Sequence, residues 1–458
     1  MELKIYNQQG VFKTAVSPSD SDRHVKEVMN DNILNLSFTL YEYVELGVND
    51  YVDFEGERFT LLEDYKPEQK STVEYAYSCK FYGIESELKK AKVLKMVDRD
   101  DELSFSYDAT AAEHLQLICD NINRIKGTKN WVIGEVVSSA NVNIEYDKIF
   151  CFDALSEIAK NFNTEWWIEG TTINLSRCEH GTPVSLGYGK GLLRLSRVEN
   201  DTVPFFTRLY PLGSTRNIVA SDYGHRLQLP GGVRYVERNI HLGIVEQAEE
   251  EAFAYIFPKR IGTVTGVRTE EATGEDGNAF TIYYFTDEGL NFDPNTYEIE
   301  GLVKQVSFQG GELNGRDFEV NFNSETKEFE IITQFPYENQ QLPGGLLIPK
   351  PGDEYILWNI RMPKEYYPLA EKEFEEAVQK HIESISIDTS VYKAPTDYIY
   401  LDENHIDLKL GRRVLLENEI YFRTGTHESR VTKISRRVNN TTDMDIECTY
   451  AVDYGRIN

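Results

Sequence analysis

Cysteine and methionine are scarce in this chain of 458 residues, which has five of each. No two cysteines form a Cys-x-x-Cys pair, and an odd number argues against a framework of disulfide bonds. Isolated cysteines of this kind usually pack as small apolar side chains. The pattern therefore disfavours both a disulfide-stabilised fold and a cysteine-based zinc site.

Metal-binding histidine pairs and long apolar runs are also missing. None of the eight histidines forms His-x-His, His-x-x-x-His or His-Glu-x-x-His, so we expect no metal and no other cofactor. No apolar run reaches the roughly 18 residues that a membrane helix needs. The first residues, Met1 to Tyr6, lack the basic and apolar regions of a signal peptide. These absences predict a chain made in the cytoplasm, with no membrane-spanning segment.

Positive charge is in deficit. The chain has 48 lysines and arginines against 76 aspartates and glutamates, which gives a net charge of −28. Duplex DNA carries about one negative charge per 1.7 Å of its axis, so this surface as a whole disfavours a tight grip on nucleic acid. A like-charged wall would still let DNA slide past without sticking.

Aromatic residues are plentiful, and their alternation with polar residues predicts strands. The chain has 28 tyrosines and 23 phenylalanines, which favours sheets over helical bundles. Residues 34–40 and 73–83 alternate between apolar and polar side chains with the period of a half-buried strand. Glu55-Gly56-Glu57 predicts a hairpin turn between two short strands. The first hundred residues are therefore typical of an antiparallel meander.

Helical periodicity begins after residue 100. Ala111, Leu115, Ile118 and Ile122 recur at helical spacing and Gly127 follows as a stop, which predicts a helix. A second helix is predicted from Asp153, as N-cap, to about Phe162, followed by a hairpin that turns at Gly170.

Later segments return to strands, with two more predicted helices. Frequent glycine and proline turns between β-rich segments predict a second sheet region. A short helix is predicted at 246–257 and a longer one after Pro363, with Phe374 and Val378 on its inner face. The tail from Tyr398 to Asn458 is predicted to be strands, with a turn at Gly425.

The motifs of common enzymes are absent, although one acidic segment could carry chemistry. Glu165-Trp166-Trp167-Ile168-Glu169 places two carboxylates beside aromatic rings, as glycoside hydrolysis requires. The simpler interpretation is a hairpin strand with packed tryptophans and solvated glutamates. The glycine-rich 187–191 lacks the end of a phosphate-binding loop, and the basic pairs at 89–90, 412–413 and 436–437 fit solvated faces or salt bridges. The balance favours binding, assembly or scaffolding.

Three segments resemble phage tail hub proteins, namely the tail-associated (prophage endopeptidase tail) family and the baseplate hub. Thr207-Arg208-Leu209-Tyr210-Pro211-Leu212-Gly213 is similar to that family's Thr-Arg-Leu-x-Pro-x-Gly segment. Residues 150–175 resemble its α/β insert, and Arg430-Val431-Thr432-Lys433-Ile434 resembles a strand of the Arg-Val-x-x-Ile type. The resemblance singles out Thr207, Arg208, Pro211, Gly213 and Arg430 as structural motif residues.

This resemblance implies an α+β, mostly β fold: two tail-tube-like antiparallel β-barrel domains with inserted α/β elements. It implies four regions, which are 1–100 as the first barrel (completed by 190–220), 101–189 as the α/β insert, 221–362 as a β-rich middle, and 363–458 as a helix plus the second barrel.

The resemblance also implies a function. A homotrimeric ring would sit at the tail tip of the virion, join distal tail or tail tube proteins to tail-tip or fibre proteins, and pass DNA only as cargo. The protein would be made in the cytoplasm of a bacterial host. No enzymatic activity is expected, because a peptidase or lysozyme-like region would follow Asn458 as an extension. The alternatives are an enzyme acting on polysaccharide through Glu165 or Glu169, and a glycan- or receptor-binding tail module.

Overall fold

In a computed structural model of the chain, strands predominate over helices. The structure describes residues 2–97, 100–198, 205–274, 277–337, 340–385 and 389–451. The fold is therefore mostly β, with helices confined to a few segments, as the sequence predicted.

Eight strands come first along the chain: β1 (Leu3–Tyr6), β2 (Phe12–Val16), β3 (Arg23–Glu27), β4 (Asn32–Leu40), β5 (Tyr51–Phe54), β6 (Glu57–Thr60), β7 (Glu68–Ser71) and β8 (Glu74–Tyr82). The hairpin predicted at residues 55–57 is confirmed, because β5 and β6 pair antiparallel across that turn. The 3₁₀ helix Ile84–Lys89 then leads into the α/β segment.

The α/β segment builds its own core from two helices and short strands. Its elements are β9 (Lys95–Val97), β10 (Asp100–Glu102), β11 (Ser104–Ala109), α1 (Ala111–Lys126), β12 (Val132–Val136), β13 (Val142–Asp147), α2 (Cys151–Asn161), β14 (Trp166–Glu169) and β15 (Thr172–Leu175). Leu115, Ile118, Leu155 and Ile158 pack together in this core. The predicted hairpin at Gly170 is confirmed, with β14 and β15 antiparallel on either side of it.

The ends of the two helices differ in how well the sequence predicted them. At α1, Thr110 and Glu113 form a reciprocal capping box, and Gly127 closes the helix in the left-handed conformation, as predicted. The N-cap predicted at Asp153 is wrong, because α2 begins at Cys151 with Phe150 as its N-cap. Asp153 instead lies in the first turn, where its charge favours the positive end of the helix dipole.

The middle of the chain contributes β16 (His180–Tyr188), β17 (Gly191–Leu192), β18 (Ser196–Val198), β19 (Arg208–Pro211), β20 (Val236–Glu237), β21 (Glu246–Glu249), β22 (Ile261–Thr263), β23 (Gly266–Thr273), β24 (Ala279–Thr286), β25 (Gln305–Phe308), β26 (Asp317–Asn323), β27 (Glu328–Ile331), β28 (Gln334–Tyr337), β29 (Gln340–Leu342) and β30 (Glu354–Trp358). The helix predicted at 246–257 is wrong. Its first residues form β21, which pairs in parallel with β19, and only Glu251–Phe253 makes a 3₁₀ turn.

The last part of the chain contains α3 (Tyr367–Ile385), β31 (Val391–Pro395), α4 (Tyr398–Glu403), β32 (Arg412–Glu417), β33 (Thr426–Arg437) and β34 (Met444–Cys448). The predicted long helix is confirmed, entered through a 3₁₀ turn at Lys364–Tyr366. The tail is not entirely strands, because Asp397 caps the short helix α4 through its carboxylate. Residues 452–458 of the predicted tail lie outside the described residues.

Strands from the two ends of the chain share one sheet of 15 strands. β3 pairs with β4 on one side and with β33 on the other, so strands from the beginning and the end of the chain lie side by side in this sheet. A second sheet of seven strands contains β22 to β27 and β30. The two separate barrels, and the four regions that go with them, therefore stay predictions.

A small sheet of three strands, in the order β20-β19-β21, packs under α3. Leu209 of β19 contacts the same core as Phe374, Val378 and Ile382 of the helix. In the part of the chain that the structure describes, no helix combines the length and apolar character needed to cross a membrane.

Candidate functional site

Thr207, the first motif residue, is fully buried and holds a neighbouring loop against β19. Its hydroxyl donates to the carbonyl oxygen of Gly243 at 2.7 Å and accepts from the backbone N–H of Val245 at 2.9 Å. Its own backbone N–H donates to the carbonyl of Val245, also at 2.9 Å. The hydroxyl and the backbone N–H of Thr207 are therefore both hydrogen-bonded inside the protein, and the residue positions the 243–245 loop.

Arg208 lies on β19 and is held by two carboxylates and a ring. Its guanidinium donates to Glu237 from the neighbouring β20, at 2.6 Å, and to Glu246 from β21, at 2.9 Å. The guanidinium carbon lies 4.4 Å from the centre of the Tyr235 ring. The hydrogen bonds from Glu237 and Glu246 raise the pKa of Arg208 above its usual value. Arg208 thus ties three strands together and is not available to a ligand.

Pro211 and Gly213 shape the end of β19. Pro211 is the last residue of the parallel pairing with β21, opposite Glu249. A Cβ atom added to Gly213 would lie 2.3 Å from the carbonyl oxygen of Leu227, closer than any side chain could stand. Gly213 is therefore required by the close approach of two backbone segments. The motif is one of packing, and it supports the contact between the small sheet and α3.

Arg430, the last motif residue, lies on β33 and forms a buried ion pair with Glu165. Both side chains are almost inaccessible, with exposed fractions of 1% and 2%. The Glu165 carboxylate accepts from two nitrogens of the guanidinium and from the backbone N–H of Cys178, and Arg430 also donates to the carbonyl of Cys178 at 2.8 Å. Burial alone would lower the pKa of Arg430, but the hydrogen bonds and charge of Glu165 raise it. This pair joins the α/β segment to the last strands.

The interpretation of Glu165 as a solvated or catalytic carboxylate is wrong. A catalytic acid must exchange a proton with its substrate, whereas Glu165 is enclosed by its partners. The reason the sequence could not show this is distance along the chain, because Arg430 lies 265 positions away. The structure also separates Arg430 from the Thr207–Gly213 motif, since β33 and β19 belong to different sheets.

A cavity of about 270 Å³ opens beside this ion pair, between three parts of the chain. Its walls come from the first strands, from β14 and from the residues around β33. Glu169 lines it together with Trp167 and His180, so the second candidate carboxylate of the sequence does reach a cavity.

Two titratable groups from β3 and the 3₁₀ helix Ile84–Lys89 also line this cavity. Burial lowers the pKa of His24 to about 4, so its imidazole is neutral near pH 7. Burial raises the pKa of Glu85 to about 7. Throughout the described ranges, no group of three or more His, Cys, Asp or Glu side chains is placed to hold a metal ion.

Other sequence candidates are occupied by internal partners. Lys190 of the glycine-rich loop forms an ion pair with Glu417 at 2.7 Å, so its charge is directed at protein rather than at a phosphate. Lys89 pairs with Asp31 at 2.5 Å, and Arg413 with Glu179 at 3.2 Å.

All five cysteines are free and buried, as predicted, and burial raises the pKa of each thiol to about 12.

Comparison with known proteins identifies the fold. No protein-family model matches the sequence, and no curated protein does either. Among solved structures, the 43 kDa tail protein of prophage MuSo2 from Shewanella oneidensis matches 98% of both chains, with a TM-score of 0.50 and 10% identity. A tail protein from Neisseria meningitidis MC58 matches 97% of this chain and 94% of its own, with a TM-score of 0.47 and 8% identity.

The match to the MuSo2 tail protein extends over almost the whole of both molecules. At 10% identity the likeness is one of architecture and not of individual residues. It confirms the resemblance to phage tail proteins that the sequence motifs predicted. The chain has the fold of a prophage tail protein.

Proposed function

We propose that this protein is a structural hub of a phage or prophage tail. In this role it joins the tail tube and distal tail protein to the tip or fibre proteins, and it makes or breaks no covalent bond. The observation that carries the proposal is the fold shared with a prophage tail protein over 98% of both chains. The ion pair of Glu165 with Arg430 and the motif around Thr207 support it, since both stabilise the architecture.

The proposed assembly is a homotrimeric ring at the tail tip. An exposed apolar segment at residues 233–245 supports contacts between subunits. Ile240, Leu242 and Ile244 are 54%, 59% and 59% exposed, and Val233 adds a further 50% exposed side chain. A patch of this kind on an isolated chain is typical of a surface that another protein covers.

The proposed channel passes DNA as cargo. The net charge of −28 disfavours a lasting contact with phosphates, so DNA would move through without being held. A gel-shift assay with duplex DNA at about 150 mM salt is expected to show no complex. A stable complex would contradict this part of the proposal.

Electron microscopy of the purified protein tests the assembly directly. End-on views, alone or with a distal tail protein, are expected to show a ring with three-fold symmetry and an open centre. Mass photometry should give three times the 52.7 kDa of the single chain. A stable dimer, or a monomer that does not join any tail component, would overturn the proposal.

A pair of variants tests the proposed contact surface. Leu242→Asp places a charge in the exposed apolar segment and is expected to dissociate the ring while leaving the circular dichroism spectrum unchanged. Val73→Asp, at an apolar residue in the turn between β7 and β8 that is 61% exposed, serves as the matched control. If the control variant dissociates and Leu242→Asp does not, the contact lies elsewhere.

A second candidate function is the binding or cleavage of a glycan, which the position of Glu169 in a cavity with Trp167 and His180 favours. At about 270 Å³ the cavity is at the small end for a ligand pocket and suits a single sugar better than a chain. Release of reducing ends from bacterial polysaccharide, abolished by Glu169→Gln, would establish this function. No turnover and no binding on a glycan array would reject it.

A further inference from the structure

The cavity beside the ion pair is the meeting point of three parts of the chain. His24 and Lys26 reach it from β3, Glu57 from β6, and Trp166 and Glu169 from β14. Lys409, Leu410 and Arg436 close it from the side of the last strands. We call this meeting point the junction. Anything that changes the charge inside it acts on the packing of all three parts at once.

Glu85 is the most deeply placed acid of the junction. It lies in the first turn of the 3₁₀ helix Ile84–Lys89, directly after β8, and only 4% of its surface is exposed. Its Oε2 atom is buried and has no hydrogen-bond partner among the residues that the structure describes. The backbone N–H of Glu85 itself and the charge of Lys26 favour the ionised carboxylate, but burial outweighs them and favours the neutral form.

The nearest charged groups are already engaged with one another. Lys26 lies 3.6 Å from the carboxylate of Glu57, and Asp31 pairs with Lys89 at 2.5 Å. Asn32 receives a hydrogen bond from neutral His24 at 2.6 Å and donates one to Glu57 at 2.8 Å. Among these neighbours Lys26 favours an ionised Glu85, whereas Glu57 and Asp31 oppose it.

The rest of the cavity lining adds charges of both signs. It includes the side chains of Glu27, Glu55, Glu169, His180, Lys409 and Arg436. None of these groups donates a hydrogen bond to Oε2 of Glu85. Burial therefore dominates, and the pKa of Glu85 rises to about 7.

We propose that the junction is a pH-sensitive latch, closed while the Glu85 carboxyl is neutral and loosened when that carboxyl loses its proton. Ionisation places a buried negative charge beside Glu57 and Asp31, and the packing of β3, β14 and the last strands must open to hydrate it. The latch rests on the geometry of the fold and holds whether or not the protein forms a tail ring.

The direction of the pH effect follows from proton linkage. In the unfolded chain the Glu85 carboxyl loses its proton near pH 4.5, whereas in the folded protein it keeps the proton up to about pH 7. At this carboxyl the folded state binds more protons between these values, so the contribution of Glu85 to stability falls as the pH rises through that window. Neutral His24, with its pKa lowered to about 4, acts in the opposite direction, so the effect of Glu85 is measured as the difference between wild type and a Glu85 variant. Above it the loss is complete, and the junction is at its loosest.

Replacement of Glu85 by glutamine tests the latch. Glu85→Gln keeps the shape of the side chain without the ionisation, so its melting temperature is expected to exceed that of the wild type at pH 8, with a much smaller difference at pH 5. Glu63→Gln, at an exposed glutamate of the same sheet region, is the matched control and should leave the profile unchanged. Parallel melting profiles for wild type and Glu85→Gln would overturn the proposal.

Hydrogen exchange of the wild-type protein gives a test that needs no variant. After correction for the intrinsic effect of pH, amides of β3 and β14 are expected to exchange several-fold faster at pH 8 than at pH 6. Amides of β26, which belongs to the seven-stranded sheet, should not change. Equal protection of β3 and β14 at both pH values would show that the junction does not open.

Discussion

Single residues hold this fold together across long separations in the sequence. The Glu165 carboxylate and the Arg430 guanidinium form an ion pair where neither is accessible to water, and Cys178 supplies further backbone contacts. Removing one member leaves the other charged and unpaired inside the protein. The pair therefore fixes the position of the α/β segment relative to β33. The loss of either side chain should destabilise the fold.

We predict that Arg430→Met lowers the free energy of unfolding by roughly 3–5 kcal/mol, because Glu165 then stays buried without its partner. Urea denaturation followed by fluorescence measures the loss. The double variant Glu165→Leu with Arg430→Met should recover much of it. Arg58→Ala, at a pair whose side chains are 56% and 52% exposed, is the control and should change stability by less than about 1 kcal/mol. A mild effect of Arg430→Met would contradict the role given to the pair.

The second prediction at this scale concerns Gly213. Gly213→Ala is expected to destabilise the protein by about 1–3 kcal/mol, since its Cβ would collide with the Leu227 carbonyl at 2.3 Å. Gly310→Ala is the matched control, because the nearest atom to its Cβ would be 3.8 Å away, which is an ordinary contact. Equal melting temperatures for the two variants would show that the backbone moves aside without cost.

At the scale of elements, α3 is the support of the small sheet that carries the Thr207–Gly213 motif. The helix presents Ala370, Phe374, Val378 and Ile382 to the core below β19, and that core also receives Phe206 and Phe253. The three strands have only four, two and four residues, so they bury little apolar surface by themselves and we expect burial against the helix to stabilise them.

Phe374→Ala is therefore predicted to cost about 3–5 kcal/mol and to increase hydrogen exchange in β19 and β21. Phe374 is 1% exposed and packs edge-on against the ring of Phe253 at 5.3 Å between centroids. Glu376→Ala, on the solvent-exposed face of the same helix, should change the free energy of unfolding by no more than about 0.5 kcal/mol. A loss of stability without faster exchange in the small sheet would argue against this support.

Elements with local signals could be predicted from the sequence, whereas those determined by distant partners could not. The end of α1 at Gly127 and the turn at Gly170 depend on neighbouring residues in the sequence, and both predictions are confirmed. Glu246–Glu249 has helical composition but forms a strand, because the backbone of β19 offers it hydrogen bonds. For the same reason the partner of Glu165 and the junction around Glu85 were beyond the reach of local patterns.

At the scale of the whole molecule, charge opposes the assembly that we propose. Each chain carries −28, so copies repel one another at low ionic strength. We predict that association of copies strengthens as salt rises from about 20 to about 300 mM, because screening shortens the range of this repulsion. Analytical ultracentrifugation at several salt concentrations measures the change. Weaker association at higher salt would point instead to contacts made by ion pairs.

The pairing of β3 with β33 has a consequence for how the protein is made. Arg23 lies opposite Arg437, so β3 cannot pair with β33 until roughly 400 more residues have been translated. At about 5–20 residues per second the ribosome needs on the order of 20–80 s to deliver it. Until then the growing polypeptide presents an open edge to every other nascent copy nearby. We therefore expect this edge to pair with other copies during synthesis, and slower translation to increase aggregation.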